Sequence, residues 1–574
     1  MSKKGKFALV LHSHLPYVIS HGKWPHGMDW LSEAASECYI PLLNVFNRLV
    51  DEGIKPKITI DISPILAEQL GDETFKMELV DYLNQKVSAA RDDYETFTKQ
   101  GEKQLAELAK HWETHFSGIL IDFTEKYKMD LITAFRRLQD KGAIEIMTCG
   151  ATHGYFPLLS EDISIQAQVK QAVAAHTRNF GKKPRGIWIP ECAYRPRYKW
   201  KNPVEDREPY ERKGVEEILS ENGLEFFLVD THLTRGGKNV GAYIDRFESL
   251  QQLWTQFEKQ YSPKEIVKER EPYDVFLVSS GAENKKPVAI FTRDPNTTIQ
   301  VWSGEHGYPG DGNFLEFHKK SFPGGHRYWK ITSQKAELGD KEIYNVADAA
   351  SRVGPQADHF VNLVAGILKD YKNRRKKEGI LVSPFDTELF GHWWHEGPDW
   401  LYEVFKRLAA NPDIETTTLS EYLDAEKPIQ VIQIPEGSWG QGGFHYIWLN
   451  DWTKWTWKYV YDAERKMIEL AQKFGDTKDE NLMNILKQAA RENLILQASD
   501  WQFLISTWSA RDYAELRLTQ HYEGFKKLYD MAMKYGAGEH LDPGEWYYLG
   551  ELEQKDKVFP DIDVKWWARL EYDV

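Results

Sequence analysis

Two carboxylates stand in contexts suited to paired-acid chemistry. Glu191 lies in GIWIPECAYRP and Asp386 in SPFDTELFGHWWHEGPDW, each directly after an apolar, β-branched run. Both are flanked by aromatics: Trp188 and Tyr194 beside the first, Phe385, Trp393 and Trp394 beside the second. Two carboxyls facing one cavity are what glycoside cleavage requires. One acts as nucleophile or base, and the other carries a raised pKa and protonates the leaving oxygen. Apolar walls raise that pKa by desolvation. Strand-end acids also serve as helix caps or partners for arginine, so the pair alone does not decide between the two roles.

The aromatic content strengthens the sugar reading. The chain of 574 residues holds 21 Trp, 28 Tyr and 27 Phe, more than a core needs, and flat rings with polar edges suit sugars. The segment GSWGQGGFHYIWLNDWTKWTW (437–457) is rich in Gly and Trp. It is expected to be a loop with exposed rings that binds a ligand, or else a packing seam between two parts of the molecule.

Histidines admit another chemistry. His12 and His14 follow the first apolar run, and His153 follows the third. With Asp386 they make a ligand set that zinc accepts, as in barrel metallohydrolases such as a deacetylase or amidohydrolase. Imidazoles also hydrogen-bond sugar hydroxyls, and chelation separates the two. No zinc-protease helix motif, P-loop, dinucleotide fingerprint or serine nucleophile elbow is present.

These residues need a scaffold that brings strand ends together. Strands are expected at Phe7–Leu11, Lys57–Ile62, Ala143–Met147, Gly186–Ile189, Phe226–Val229, Val288–Phe291 and Ile380–Ser383. Such apolar strands are buried on both faces, and helical stretches between them predict parallel crossovers. The fold class is α/β: an incomplete seven-stranded TIM-like barrel, whose chemistry sits at the strand C-termini. His12, Asp61, His153, Glu191, Asp230, Arg293–Asp294 and Asp386 all follow or end strands. The barrel is assigned residues 1–410. It carries a helical excursion at 72–140, dense in Glu and Lys, and an inserted subdomain at 195–285. Residues 411–574 read as a mainly helical C-terminal domain contributing to the cleft.

Composition excludes several classes. A net charge of −14 argues against a nucleic-acid or anionic-membrane partner. The start, MSKKGKFALVLHSHLPY, lacks the apolar length of a secretory signal, and no run approaches a membrane span. Three cysteines without close pairs suit a reducing compartment. A cytoplasmic monomer is expected.

The ordered motifs HSHLPY (12–17), GATHGYFPLL (150–159), GIWIPECAY (186–194), SPFDTELFGHWW (383–394) and LQASDWQFL (496–504) resemble those of glycoside hydrolase family 57. The resemblance spans nearly the whole chain, and within the family it is greatest to the 1,4-α-glucan branching enzymes. It implies Glu191 as nucleophile and Asp386 as general acid/base of a retaining mechanism. It implies His12, His14 and His153 beside the sugar next to Glu191, Asp500 reaching the cleft from the helical domain, and Trp24, Trp302, Trp439 and Trp448 as sugar platforms. No metal or cofactor is implied, and the partner is an α-1,4-glucan. An α-amylase or 4-α-glucanotransferase would share every catalytic residue. A non-catalytic glucan binder would not need both acids in intact motifs. The family's aromatic loop over the site corresponds here to 231–247, with Tyr243 its obvious aromatic. The stretch 72–116 is longer than the family usually carries.

Overall fold

The computed structural model describes residues 5–235, 270–280, 286–304 and 307–571. Among them, seven parallel strands form the sheet that matters: β1 (Gly5–Ser13), β2 (Ile58–Ile62), β3 (Ile144–Cys149), β4 (Gly186–Trp188), β5 (Phe226–Val229), β6 (Val288–Thr292) and β7 (Ile380–Asp386). The spatial order is β7-β1-β2-β3-β4-β5-β6. The two ends of the curl meet where Arg293 bridges Val382 of β7 and the Asp294 N–H donates to the Val382 carbonyl at 2.9 Å. This is the incomplete barrel that the strand count predicts. Short strands extend the sheet away from the rim of strand C-termini: Ile414–Thr416 beside the start of β1, Phe276–Val278 antiparallel to the start of β6, and Val431–Ile432 beyond it. The last two lie after or outside the repeat that the sequence pattern follows, being too short to register as apolar runs.

The strands are buried almost end to end, as parallel strands covered on both faces must be. Register aligns the chemistry. His12 pairs with Asp386 on one side and with Asp61 on the other, so three strand-end polar residues sit at one level of the rim.

Beyond β2 the chain forms two long helices, α1 (Glu73–Gln100) and α2 (Lys103–Ile121), joined at Gly101. Gly101 takes φ 78°, the left-handed conformation that turns the chain back at little cost for glycine. This hairpin grips the segment ahead of helix α3 (Val346–Arg375). Trp112 Nε1–H donates to the Arg327 carbonyl at 2.8 Å, and the Tyr328 hydroxyl donates to Asp93 at 2.6 Å.

The described part of 195–285 holds a two-stranded ribbon, Tyr198–Trp200 with Tyr210–Arg212, and the helix Val215–Glu221 before β5. After residue 453 the described chain is helical: α4 (Lys454–Phe474), α5 (Glu480–Leu496), α6 (Asp500–Thr507), α7 (Arg511–Gly536) and α8 (Pro543–Lys555). α4 starts inside the Trp-rich segment, earlier than its composition predicts. These helices latch onto the loop after β3. Buried Glu464 accepts from the Ser160 N–H and hydroxyl at 2.9 and 2.8 Å, and Gly154 bridges Ala498.

Candidate active site

Glu191 lies just beyond β4 in a tight turn. It takes φ 59° and Cys192 takes φ 46°. Non-glycine residues rarely adopt that region, and they hold it only where the surroundings force it. The forcing contacts come from the Gly-rich loop. The Tyr194 N–H donates to the Gly437 carbonyl at 2.8 Å, and the Trp439 N–H to the Glu191 carbonyl at 3.0 Å. This short pairing sets the indole of Trp439 against the acid, and its Nε1–H donates to Glu191 Oε2 at 2.7 Å.

His153 also takes a left-handed conformation, φ 61°, in the turn after β3. Its ring lies on that of His14, with centroids 4.0 Å apart, and its Nδ1 is 4.0 Å from Glu191 Oε1. His12 stacks on Trp188 at 4.6 Å, nearly coplanar. Its Nδ1 meets Asp61 at 2.5 Å and its Nε2 meets His153 Nε2 at 3.1 Å. Burial pushes Asp61 well up and pulls His12 and His153 well down, so neither imidazole carries charge. The contacts run on from Asp61 through His12 to His153 Nε2, and His153 Nδ1 meets the Ser499 hydroxyl at 2.8 Å.

The helical region supplies two groups to this chain of contacts. Ser499 is tied in by its own N–H, which donates to the His153 carbonyl at 3.0 Å. Asp500, the first residue of α6, meets His14 Nε2 at 3.0 Å, while His14 Nδ1 meets the Ser63 hydroxyl at 2.9 Å.

The acids load one another. Burial raises Glu191 to about 8, the Trp439 donor pulls against this, and the charges of Asp386 and Asp500 push further up. Glu388, one turn beyond Asp386, is raised to about 8 by burial and by Asp386, and accepts from the Tyr39 hydroxyl at 2.5 Å. Clustered carboxyls in a dry site retain at least one proton near neutrality. That is the condition for an acid and a nucleophile of the same type to work together.

The expected site residues therefore divide. His12, His14, His153, Glu191, Trp439 and Asp500 are joined by direct contacts, and Asp386 shares their rim. Trp393 is half-buried against Phe317, with ring centroids 6.1 Å apart, on the turn after Asp386. Trp24 is 73% exposed on the long connection after β1. Three of the four tryptophans expected as platforms are largely covered. Trp439 presents its N–H to Glu191 and is 7% exposed. Trp448 is 1% exposed and stacks on Tyr155 at 4.4 Å. Trp302 ends the helix Pro295–Trp302 with its ring buried. The Gly- and Trp-rich segment is thus largely a packing seam, because its rings fill the joint between the barrel rim and the helices. Tyr243 lies outside the described residues.

Asp61, Ser63, Trp188, Glu388 and Ser499 belong to the site but escape motif reasoning as functional groups. All except Ser63 sit inside quoted motifs or at strand ends, which is the signal that marks them. For a metal, ligand atoms of His14, His153 and Asp500 lie within 4.8 Å of one another, as do those of His12, Cys149 and His153. Yet each of these imidazoles already has hydrogen-bond partners on both nitrogens or a stacked neighbour, so hydrogen bonding accounts for their orientation.

Comparison with known proteins agrees with the geometry. The family model described as glycosyl hydrolase family 57 matches residues 8–435, and that described as 1,4-alpha-glucan branching enzyme, C-terminal, matches 459–567. A 1,4-alpha-glucan branching enzyme of Thermococcus kodakarensis is 40% identical over 98% of this chain and 78% of its own. Its crystal structure superposes with a TM-score of 0.88 at 39% identity, covering 99% of this chain and 98% of that one. A branching enzyme of Pyrococcus horikoshii gives 0.88 at 37% with the same coverage. The α-amylase AmyC of Thermotoga maritima gives 0.80 at 28%, covering 99% and 100%.

Proposed function

The chain belongs to glycoside hydrolase family 57 and is a 1,4-α-glucan branching enzyme, and from this we infer that Glu191 is its nucleophile and Asp386 its general acid/base. Glu191 attacks the anomeric carbon of an α-1,4-linked unit. Asp386 protonates the departing glycosidic oxygen, leaving a glucosyl ester on Glu191. Asp386, now ionised, takes the proton of a 6-hydroxyl on an acceptor chain, which displaces Glu191 and forms the α-1,6 branch.

One observation carries this reading: Glu191 is a buried carboxyl held by the Trp439 N–H donor on the same rim as a second acid. A nucleophile must be ionised and its partner protonated. The 2.7 Å donor opposes the burial that raises Glu191 and so helps its charged form. The neutral His12 and His153 rings flank the nucleophile without adding charge. His14 and Asp500 close the same wall from the helical side. The substrate is an uncharged polymer, so a protein of net charge −14 does not repel it. The three buried thiols, none paired in a disulfide, fit a reducing setting such as the cytoplasm.

Incubation with amylose, followed by enzymatic debranching and chain-length analysis, tests the reading. New α-1,6 linkages with little rise in reducing ends are expected. Reducing ends without α-1,6 linkages would assign the same acids to an α-amylase.

A further inference from the structure

Trp508 breaks two habits of a helical end. It terminates α6 in the left-handed conformation, φ 58°, a position that glycine usually fills. It also leaves 56% of its surface in solvent. Its ring meets that of Trp452 at 5.4 Å and 53°, and the Arg511 guanidinium lies 5.5 Å over its face. Burial does not account for a large apolar ring kept exposed on strained backbone, whereas an aromatic surface prepared for a ligand does.

Both rings are wired to the catalytic centre. Trp508 caps the helix whose first residue, Asp500, meets His14. An eight-residue helix sets the two ends about 12 Å apart. Trp452 lies in the segment that begins with Trp439 on Glu191. Asn450 fixes this segment to α6: its side-chain amide donates to the Ser506 hydroxyl at 2.9 Å, while its side-chain oxygen accepts from the Trp452 N–H at 2.9 Å. The same two elements that carry Asp500 and Trp439 therefore carry the aromatic pair, and they cannot shift independently.

We propose that Trp508 and Trp452 form a distal subsite that holds an α-1,4-glucan chain already seated at Glu191 and Asp386. The pair offers two apolar ring faces tilted 53° to one another, with Arg511 over one of them and the exposed Ser509 next to Trp508 in the chain. That combination matches the C–H face and hydroxyl edge of a glucosyl ring. Its distance from Asp500 means that only chains several units long reach it. The subsite therefore selects long chains without touching the reacting atoms. The inference rests on the branching reading and extends it to substrate length.

The test compares the full-length enzyme with Trp508→Ala and Trp508→Gly on amylose and on maltotriose, which is too short to reach the pair from the reacting bond. The KM for amylose is expected to rise about three- to tenfold in both variants, the scale of one lost aromatic contact. Values of kcat and all maltotriose parameters stay at wild-type level. Trp508→Gly melts no lower than wild type, because glycine accepts the left-handed conformation freely, which separates lost binding from lost structure. An unchanged KM for amylose in both variants overturns the subsite, as does an equal loss on both substrates. A wild-type enzyme that forms no α-1,6 linkages, yet binds amylose more weakly in both variants, would sink the branching reading and keep the subsite.

Discussion

Two clusters of histidine and carboxylate lie in this molecule, built from the same residue types and put to opposite uses. At the rim, His12, His14, His153, Asp61, Glu191 and Asp500 touch one another. Where the barrel meets the helices, His21 Nε2 meets Asp556 at 2.6 Å, His521 Nδ1 meets Glu492 at 2.7 Å, and Arg517 donates to His521 Nε2 at 2.9 Å. Ligand atoms of His21, His521 and Asp556 come as close together as those of the rim. The difference is access and backbone. The side chains of Glu191 and Asp500 are 16% and 15% exposed, whereas those of His521 and Glu492 are 1% exposed. Glu191 and His153 stand on left-handed backbone, while His521 and Glu492 sit on the regular helices α7 and α5. A polar cluster becomes a site where it is left partly open and held under strain. A sealed one ties helices together.

Substitutions should separate the two clusters. The largest effect is expected for Glu191→Gln, which removes the proposed nucleophile while keeping its shape. Activity should fall on the order of 10⁴-fold or more with an unchanged melting temperature, measured as α-1,6 linkages formed per unit time. Retained turnover would move the nucleophile elsewhere. His521→Leu does the reverse: it strands Glu492 and Arg517 in a dry interior and should cost about 3–5 kcal/mol of stability. Denaturant unfolding reads that loss, and kcat below the transition should match wild type. A fall in kcat at full folding would tie the sealed cluster to catalysis.

Trp439→Phe sharpens the contrast inside the rim. Activity needs the Glu191 carboxylate, so it falls as pH drops through the value near 8 at which this group takes a proton. Removing the indole donor destabilises the carboxylate and moves that value up, so the acid side of the kcat/KM profile should shift to higher pH by about one unit. A shift to lower pH would contradict the role given to this N–H. The smallest effect is expected from chelation. Dialysis against EDTA should leave the branching rate unchanged, and a loss restored by zinc would revive the metal reading of the rim histidines.

Much of the barrel was legible in the chain. Buried parallel strands are apolar on both faces, so all seven stand out, and their C-terminal residues mark the rim before any coordinates exist. The motifs likewise point to Glu191, Asp386 and the three histidines. The tryptophans were the least legible. A Gly-rich, Trp-rich stretch looks exposed from composition, yet Trp448 and Trp457 are buried, because whether a ring is covered depends on partners far away in sequence. Tyr155, which covers Trp448, is one such partner. The cluster around His521 was also invisible, since it has no local signature.

The sequence by itself determined the chemistry: the residue types, the strand ends that carry them, and the apolar periodicity that curls seven strands around one rim. Only the tertiary structure decided which polar groups share that rim under strain and which are sealed away. It also decided that Trp439 serves Glu191 as a hydrogen-bond donor and that Asp500 crosses from a helix to reach His14. The reason is physical. Strand patterning is a local consequence of burial, readable along the chain, whereas pKa shifts, hydrogen-bond directions and exposure depend on what packs opposite. Contacts such as His14 with Asp500 and Glu191 with Trp439 join residues hundreds of positions apart, so nothing short of the fold specifies them.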